Sequence, residues 1–296
     1  MSVVDLHIHS NYSLDGEYSV LDLFKEVEAR GVKVAAIADH DRIDAAREVE
    51  AYRPYSNITW IPAIDCSAIY QNKEIHLLGY GIDPHHSWFD EHYQSIKKAY
   101  ETSLPLRLQF LNEQFKLDLK VDEFEPFLEE NIISPRFLTR YLLSQALYAE
   151  HPLLKPYIKG SRRHPNHAFF IQDMHAKAKE NFLEQALPSV HEVIKMLHEA
   201  GGLVVLAHPG NVIQENMQLL NELTHLGLDG IEAYCPYHSE IQNYFYVDYA
   251  LKRKLIITCG SDYYGPSKHF VKIGQTHCPL QADEMLAQFR NKGIQL

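Results

Sequence analysis

This sequence of 296 residues has few cysteines and lacks long apolar runs, and these are features that mark disulfide-rich and membrane proteins. Its four cysteines are far apart and form no C-x-x-C pair, so neither a disulfide framework nor a structural zinc site is expected. The chain does not open with a basic and apolar leader pattern, and it has no apolar run long enough for a membrane span. We therefore expect a cytoplasmic protein that does not associate with membranes.

Positive charge is also in short supply. The chain has 28 basic and 39 acidic residues, a formal net charge of −11 at pH 7. Such a surface repels nucleic acid unless a local basic patch or bound cations reverse the field. With 46% hydrophobic and 23% charged residues, the composition favours a large folded core over disorder. Histidine is unusually frequent, with 18 copies.

Hydrophobic patterning predicts an α/β fold. Short apolar runs alternate with amphipathic helical patterns at both ends of the chain, which is typical of βα units and a mostly parallel sheet. We predict that residues 1–91 and 188–296 form a barrel, and that the strand-poor residues 92–187 form a helical insertion that caps the active site. The predicted strands are 3–8, 34–38, 58–64, 75–80, 203–207, 230–234 and 255–259, and the predicted helices include 20–30, 45–52, 104–115, 121–129, 136–147 and 191–200.

Two histidines, His7 and His9, lie two residues apart on the first predicted strand. Side chains at this spacing point to the same face of a strand, so both imidazoles can reach one ion. Taken alone, the pair would favour a simpler interpretation, two polar residues at the mouth of a barrel.

Histidine and aspartate recur where other predicted strands begin or end. The residues 39–41 (Asp-His-Asp), Asp65, His208 and Asp262 follow four of these strands, and His76 opens another. The carboxyl ends of strands form the active face of barrel enzymes. Burying so many ionisable groups together is costly without cations to pair with them. The pattern therefore indicates a metal site.

The ligand types narrow the choice of metal. Imidazole and carboxylate without thiolate favour Mn²⁺, Fe²⁺ or Zn²⁺ over Ca²⁺ or Mg²⁺. Asp65 is suited to bridge two ions. Two ions about 3.5–4 Å apart can clamp a phosphoryl group and generate a hydroxide nucleophile.

At this point the sequence resembles the PHP (polymerase and histidinol phosphatase) family. The central insertion and the run Asn11-Tyr12-Ser13-Leu14-Asp15-Gly16 further resemble a branch that contains nucleoside 3′,5′-bisphosphate phosphatases and 5′-to-3′ exonucleases acting on short RNA. The family motifs occur in order along both ends of the chain: Asp5-Leu6-His7-Ile8-His9-Ser10, Ala38-Asp39-His40-Asp41, Ile61-Pro62-Ala63-Ile64-Asp65, His76-Leu77-Leu78-Gly79-Tyr80, Leu206-Ala207-His208-Pro209-Gly210 and Gly260-Ser261-Asp262.

The resemblance implies a distorted (β/α)₇ TIM-like barrel with two or three divalent metal ions. By position, it implies that His7, His9, Asp65 and Asp262 hold the first ion. It implies that Asp65, His76 and His208 hold the second, and that Asp15 and His40 hold the third. Asp39 would orient a ligand imidazole.

Two positions depart from the family pattern. The family usually has Glu at Asp65, and the shorter Asp requires the strand or the ions to move closer. It usually has His at Tyr264, so the third ion loses a neutral nitrogen ligand. Tyr264 could coordinate as a phenolate or hydrogen-bond the substrate, and His238 and His269 are candidate replacements.

Substrate groups are expected outside the metal ligands. Ser134-Pro135-Arg136 opens a predicted helix, and its free N–H groups beside Arg136 form a candidate anion site. Asn211 follows His208 and is expected to line the site. A basic stretch could face a second phosphate or an RNA backbone, although a solvated loop is favoured: Lys155, Lys159, Arg162, Arg163, His164 and His167.

The expected function is hydrolysis of a phosphomonoester, either of a nucleotide such as a nucleoside 3′,5′-bisphosphate or of a short oligoribonucleotide. Asp65, His208 and Asp39 are the candidate catalytic groups. A hydroxide would attack phosphorus in line, while the ions and Arg136 neutralise the phosphoryl oxygens. His208, or a water near the third site, would protonate the leaving group. The alternatives are a histidinol-phosphate phosphatase, an amidohydrolase and a non-catalytic domain with a decayed metal site. The oligomeric state stays open.

Overall fold

The structure, a computed structural model, describes residues 2–13, 16–128, 132–164, 167–178 and 187–296. The chain divides into two compact units. The first unit consists of Met1–Tyr93 and Pro188–Leu296, and the second unit is Gln94–Leu187. Each unit has its own hydrophobic core.

Strands lie in the first unit and helices in both. The strands are Val4–Ile8 (β1), Val34–Ile37 (β2), Thr59–Trp60 (β3), Ala63–Tyr70 (β4), Lys73–Tyr80 (β5), Leu203–Leu206 (β6), Gly230–Tyr234 (β7) and Ile256–Cys259 (β8). The α-helices are Val20–Ala29 (α1), Asp44–Tyr52 (α2), Trp88–Phe115 (α3), Pro135–Ser144 (α4), Lys155–Ile158 (α5), Ala168–Lys177 (α6), Val190–Glu199 (α7), Pro209–Val212 (α8), Met217–His225 (α9), Glu240–Arg253 (α10) and Ala282–Asn291 (α11). Short 3₁₀ helices cover Arg53–Tyr55, Val121–Glu123, Glu125–Phe127 and Ala146–Tyr148.

The strands form two sheets. The first has the order β1-β2-β3 with parallel pairs, and the second has the order β4-β5-β6-β7-β8. In the second sheet β5 runs antiparallel to both β4 and β6, whereas β6, β7 and β8 are parallel. Isolated parallel bridges, Ile8 with Tyr263 and His40 with Asp65, link segments of the two sheets. The mixed α/β class is confirmed, and in the described residues regular pairing does not close into a barrel.

The hairpin β4–β5 corrects two expectations. The strand predicted at 58–64 is two strands, and Asp65 is the third residue of β4 rather than the residue after a strand. His76 is the fourth residue of β5 rather than a residue at its start. Pro62, which cannot donate a ladder hydrogen bond, separates β3 from β4. A tight turn at Gln71 and Asn72, which both adopt positive φ, joins the long strands β4 and β5.

Local signals position the helices that surround the sheets. Ser19 caps α1 by accepting a hydrogen bond from the backbone N–H of Asp22, and Gly31 follows the helix with a φ of 73°. Ser189 caps α7 in the same way. The apolar faces of α7, α9 and α10 pack on the second sheet in one large core.

The second unit is helical in its described residues. The helix predicted at 121–129 is wrong, because two 3₁₀ turns, Val121–Glu123 and Glu125–Phe127, occupy this stretch. Pro126 explains the break, since it lacks the N–H that a continuous α-helix needs. Among the described residues of both units, no helix combines the length and apolar character needed to cross a membrane.

Candidate metal centre

His7 and His9 open the centre at the end of β1. The strand places both imidazoles on one face, and their ring centroids lie 5.0 Å apart. Both side chains are fully buried. The same pocket receives His208, whose ring stacks on His7 at 5.6 Å.

Asp65 lies at the middle of this cluster. Its Oδ2 is 2.9 Å from His40 Nδ1, 3.0 Å from His76 Nδ1 and 3.6 Å from His7 Nε2. The side chain is fully buried. Burial raises the pKa of Asp65, but His76 and His40 outweigh it and hold that pKa well below the usual range. The carboxylate is therefore ionised at neutral pH.

Asp262 faces the same histidines from the end of the second sheet. Its Oδ1 is 3.0 Å from His9 Nε2 and 3.5 Å from His7 Nε2. Asp262 and His208 both adopt positive φ, 51° and 24°. Such backbone strain at non-glycine residues is typical of functional sites. It turns both side chains toward the cluster at the points where their strands have ended.

Glu232 orients two of these groups from within β7. Its Oε1 accepts a hydrogen bond from His7 Nδ1 at 3.0 Å, and its Oε2 accepts one from the backbone N–H of His208 at 2.8 Å. Glu232 is fully buried. A carboxylate behind a ligand imidazole fixes its tautomer and ring orientation.

Hydrogen bonds also assign the tautomer of His9. The hydroxyl of Ser13 donates to Asp39 Oδ1 at 2.6 Å, so it accepts from His9 Nδ1 at 3.0 Å. In the same way, the hydrogen bond to Glu232 places the proton of His7 on Nδ1. The Nε2 lone pairs of His9 and His7 then point at carboxylate oxygens. Lone pairs that face anions at these distances repel unless a cation lies between them.

The pKa of His7 also reflects the excess of negative charge around it. Burial disfavours its charged form, yet Glu232 and Asp65 raise the pKa of His7 well above its usual value. By contrast, burial and the neighbouring His40 lower the pKa of His9. Burial lowers the pKa of His208 to about 4, so this imidazole is neutral at pH 7 and suited to bind a metal. The cluster attracts positive charge, which a proton or a metal ion can supply.

The described residues contain four groups of side chains whose ligand atoms lie within 4.8 Å of one another, and three of these groups overlap at this centre; the fourth, Asp41, Cys66 and His92, shares no residue with them. The three overlapping groups are His7, His9 and Asp262; His7, Asp65 and His208; and His9, His40 and Asp65. Several of their buried atoms have no hydrogen-bond partner, among them His7 Nε2, Asp65 Oδ1 and His208 Nδ1. Buried polar atoms are rarely left in this state, so these residues fit the binding of divalent metal.

Gly260 allows His7 and Glu232 to approach the end of β8. A Cβ atom at this position would lie 2.1 Å from His7 Cβ and 2.4 Å from Glu232 Oε1. These distances are far below contact distance. The glycine in the Gly260-Ser261-Asp262 motif is therefore required by its packing against His7.

The proposed third site is partly outside the described residues, because Asp15 is not among them. Of its other members, His40 Nε2 lies 2.8 Å from the hydroxyl of Tyr264. The Tyr264 ring stacks on His9 with centroids 4.1 Å apart. The two suggested replacements lie in different surroundings. His238 Nδ1 and Nε2 contact the backbone Ala233 O and Gly210 N at 3.0 Å each, and His269 is exposed.

Asp39 reaches the ligand imidazole indirectly. Its carboxylate accepts hydrogen bonds from Ser10 N at 2.7 Å, Ser10 Oγ at 2.6 Å and Ser13 Oγ. Ser13 in turn contacts His9. Its expected role in orienting a ligand therefore passes through Ser13, and a catalytic role for Asp39 stays a prediction.

The predicted substrate groups remain predictions. Ser134 caps α4 by accepting a hydrogen bond from Phe137 N at 3.1 Å, and Arg136 is exposed in the second unit. Asn211 is exposed in α8, and its backbone N–H donates to His208 O at 3.0 Å.

Carboxylates neutralise part of the basic stretch. Lys155 and Lys159 both contact Glu150, and Arg162 donates to Asp173 at 2.9 Å. These pairs support the solvated-loop interpretation for those three residues.

Sequence reasoning missed Glu232, Tyr237 and Lys268. The signal for Glu232 was available, since a single carboxylate interrupts the apolar strand Gly230–Tyr234. Lys268 lies in an irregular segment, where no periodicity indicates which way a side chain points. Its Nζ is nevertheless 3.0 Å from Asp262 Oδ2. Burial raises the pKa of Asp262, but the positive charge of Lys268 and the contacts with His9 and His7 outweigh burial. Together they hold that pKa well below its usual value.

A family model for the PHP domain matches residues 5–294, and the chain belongs to this family. Similarity to solved structures agrees. The chain matches an amidohydrolase from Chromobacterium violaceum, solved with bound sulfate and no metal, with a TM-score of 0.73, 21% identity and 97% coverage of each chain. It matches a protein from Bifidobacterium adolescentis, assigned as a metal-dependent phosphoesterase, with a TM-score of 0.73, 22% identity and 99% and 97% coverage.

Relatives with named activities span most of the chain. It is 26% identical over 282 residues to a phosphoribosyl 1,2-cyclic phosphate 1,2-diphosphodiesterase from Eggerthella lenta, covering 92% of this chain and 98% of the relative. It is 22% identical to a 3′,5′-nucleoside bisphosphate phosphatase from Chromobacterium violaceum, with 93% and 92% coverage. It is 24% identical to a 5′-3′ exoribonuclease from Haemophilus influenzae, with 88% and 90% coverage. Together with the family match, these findings confirm the predicted class, a metal-dependent phosphoesterase.

Proposed function

We propose that this chain hydrolyses a phosphomonoester, either of a nucleotide such as a nucleoside 3′,5′-bisphosphate or of a short oligoribonucleotide. The observation that carries the proposal is the facing of imidazole lone pairs and carboxylates in one buried pocket. His9 Nε2 lies 3.0 Å from Asp262 Oδ1, and His7 Nε2 lies 3.5 Å from the same oxygen. Divalent cations reconcile these groups and also attract a phosphate.

We assign the ligands of two ions, of Mn²⁺, Fe²⁺ or Zn²⁺ type. His7, His9 and Asp262 hold the first ion, and Asp65 and His208 with His76 hold the second. Asp65 would contribute to both sites, because its Oδ2 lies 3.6 Å from His7 Nε2 and 3.0 Å from His76 Nδ1. Its position inside β4 brings the short carboxylate to the middle of the cluster, which offsets the methylene that Glu would add.

The bound ions would supply charge neutralisation and an activated water. The chain supplies orientation: Glu232 holds His7, and the pair Asp39–Ser13 holds His9. Burial lowers the pKa of His208 to about 4, so its imidazole is neutral at pH 7 and is better suited to bind a metal than to protonate the leaving group.

We propose that the two sheets act as a distorted seven-stranded barrel around the centre. With β3 and β4 counted as one interrupted strand, the order from β1 to β8 has seven members. It is circular if the two isolated bridges count as pairings. The bridge between Ile8 and Tyr263 joins the last strand to the first, and that between His40 and Asp65 spans the interruption after β3. Both bridges lie beside metal-ligand candidates, so the irregular pairing is where the site is built.

We also propose Ser134, Arg136 and Asn211 as substrate-binding residues. The ten-residue helix α4 begins at Pro135, and its first N–H groups with Arg136 are suited to a phosphate.

The named relatives define the substrates to compare. A screen with Mn²⁺ would measure inorganic phosphate released from an aryl phosphate, nucleotides, nucleoside 3′,5′-bisphosphates and histidinol phosphate. Short oligoribonucleotides and a phosphoribosyl cyclic phosphate would be followed by chromatography of their products, because hydrolysis of one ester bond of a phosphodiester frees no inorganic phosphate. We expect turnover of the aryl phosphate and the highest kcat/KM on a nucleotide or oligoribonucleotide. The cyclic ester is included because the Eggerthella lenta relative, covered over 98% of its length, is named for that reaction.

The assignment of the first ion is tested by His9→Gln, with His225→Gln as the matched control. His225 is exposed at the end of α9. We expect His9→Gln to lose aryl phosphate turnover while His225→Gln retains it. Wild-type turnover by a folded His9→Gln protein would disprove the assignment. Turnover of an amide without phosphate release would instead select an amidohydrolase.

A further inference from the structure

The described residues offer few ligand atoms for the third ion that the family pattern suggests. Among the described residues, the group of ligand atoms that includes His40 consists of His9, His40 and Asp65, and it shares His9 and Asp65 with the other two groups at this centre. His40 Nε2 is engaged by the Tyr264 hydroxyl at 2.8 Å. The ring of Tyr264 fills the space beside His9, in stacked contact.

A lysine lies at the same edge. Lys268 Nζ is 3.0 Å from both Asp262 Oδ2 and the backbone Asp262 O, donates to the hydroxyl of Tyr237, and sits 4.2 Å from the centroid of the Tyr264 ring. Its side chain is 13% exposed. An ammonium over an aromatic face, anchored on a buried carboxylate, is a fixed positive charge.

The two oxygens of Asp262 are thereby divided. Oδ1 faces His9 and His7, where the first ion is assigned, and Oδ2 faces Lys268 and Tyr237. A carboxylate held through one oxygen presents the other in a defined direction. Lys268 thus acts as a positioning residue for Asp262 and as a charge at the rim of the pocket.

We propose that the centre holds two ions, and that Lys268 supplies at the Tyr264 edge the positive charge that a third ion would bring. The charge favours binding of the substrate phosphate over the two ions. This inference rests on the proposed function for its substrate, but its test does not depend on turnover.

The test measures Mn²⁺ content and inorganic phosphate affinity in the same protein. After equilibration with Mn²⁺ and removal of the excess, elemental analysis of the full chain should give two ions per chain. Isothermal titration with inorganic phosphate should then give a Kd that rises at least tenfold in Lys268→Met, while the two ions are retained. Lys268→Arg, which keeps the charge, should restore most of the affinity.

Lys252→Met is the matched control. Lys252 is an exposed lysine in α10 that pairs with Asp248, and its substitution changes the net charge equally. Its phosphate Kd should stay that of the wild type. The double substitution Tyr264→His with Lys268→Met should bind a third Mn²⁺ and recover phosphate affinity.

Three results would overturn the inference: three ions in the wild-type chain, an unchanged phosphate Kd in Lys268→Met, or equal losses in Lys268→Met and Lys252→Met. A chain that binds two ions and phosphate but releases no phosphate from any ester would instead contradict the proposed function and leave this inference standing.

Discussion

The two edges of the metal centre are held in different ways. At the edge formed by β1, β4 and β7, His7 and His9 are oriented by groups that are themselves buried, Glu232 and Ser13. At the other edge His40 is 19% exposed and Lys268 is 13% exposed, and a phenol takes the place of an imidazole. The comparison teaches that strand geometry fixes the positions of the side chains at the first edge, whereas the long flexible side chain of Lys268 is needed at the second.

The largest expected effect comes from removing the carboxylate at the middle of the first edge. Asp65→Asn keeps the shape but removes the charge that three histidines contact, so we expect kcat/KM on an aryl phosphate to fall by about 1,000-fold or more. Elemental analysis should show ion loss, with unchanged circular dichroism. Asp248→Asn, in an exposed ion pair of α10, is the control. Retention of two ions and wild-type turnover would refute the bridging role.

A methyl group behind His7 tests how rigidly that edge is built. Gly260→Ala places a Cβ atom 2.1 Å from His7 Cβ, so His7 and Glu232 must shift. We expect a stability loss of about 1–3 kcal/mol, measured by denaturant titration. Displacing a ligand by about 1 Å should lower kcat/KM about 100-fold. A Tm and an activity equal to the wild type would mean that this edge is not tightly packed.

Glu232→Gln separates orientation from packing. The substitution keeps the size but weakens the hydrogen bond to His7, and we expect Mn²⁺ affinity or activity to fall about 10- to 100-fold. Titration of the apo chain with Mn²⁺ checks this. Glu222→Gln, in the outer contacts of α9 with Tyr70 and Gln71, should leave affinity unchanged. Equal affinity in Glu232→Gln would show that β1 alone orients His7.

The smallest effect is expected at the second edge. Tyr264→Phe removes one hydrogen bond to His40 and keeps the stacked ring, so we expect about 1 kcal/mol of stability to be lost and activity to change less than about fivefold. Thermal unfolding and kcat/KM measure both. A loss of bound ions would instead identify Tyr264 as a phenolate ligand and remove the contrast between the edges.

Much of the first edge could be predicted because its signals are local. Two-residue spacing on a strand places His7 and His9 together whatever the rest of the chain does. The helix boundaries at Ser19 and Ser189 follow from caps within three residues. The hairpin could not be predicted as well. The run from Ile58 to Ile64 does contain Pro62, which lacks a backbone N–H and marks the break between Trp60 and Ala63. Nothing local shows that the second strand then continues past Asp65 to Tyr70.

The sequence by itself determined that imidazole and carboxylate groups are the candidate ligands. It also determined the alternation of helices and strands that gives a mixed α/β fold, and the family motifs along the chain. Tertiary structure alone decided which groups meet. Glu232 reaches His7 across 225 residues, and Asp262 reaches His9 across 253. Tyr264 and Lys268 meet at the second edge through a segment without regular repeat. Periodicity and capping act between near neighbours, whereas these contacts depend on how distant strands pack, which no local pattern encodes.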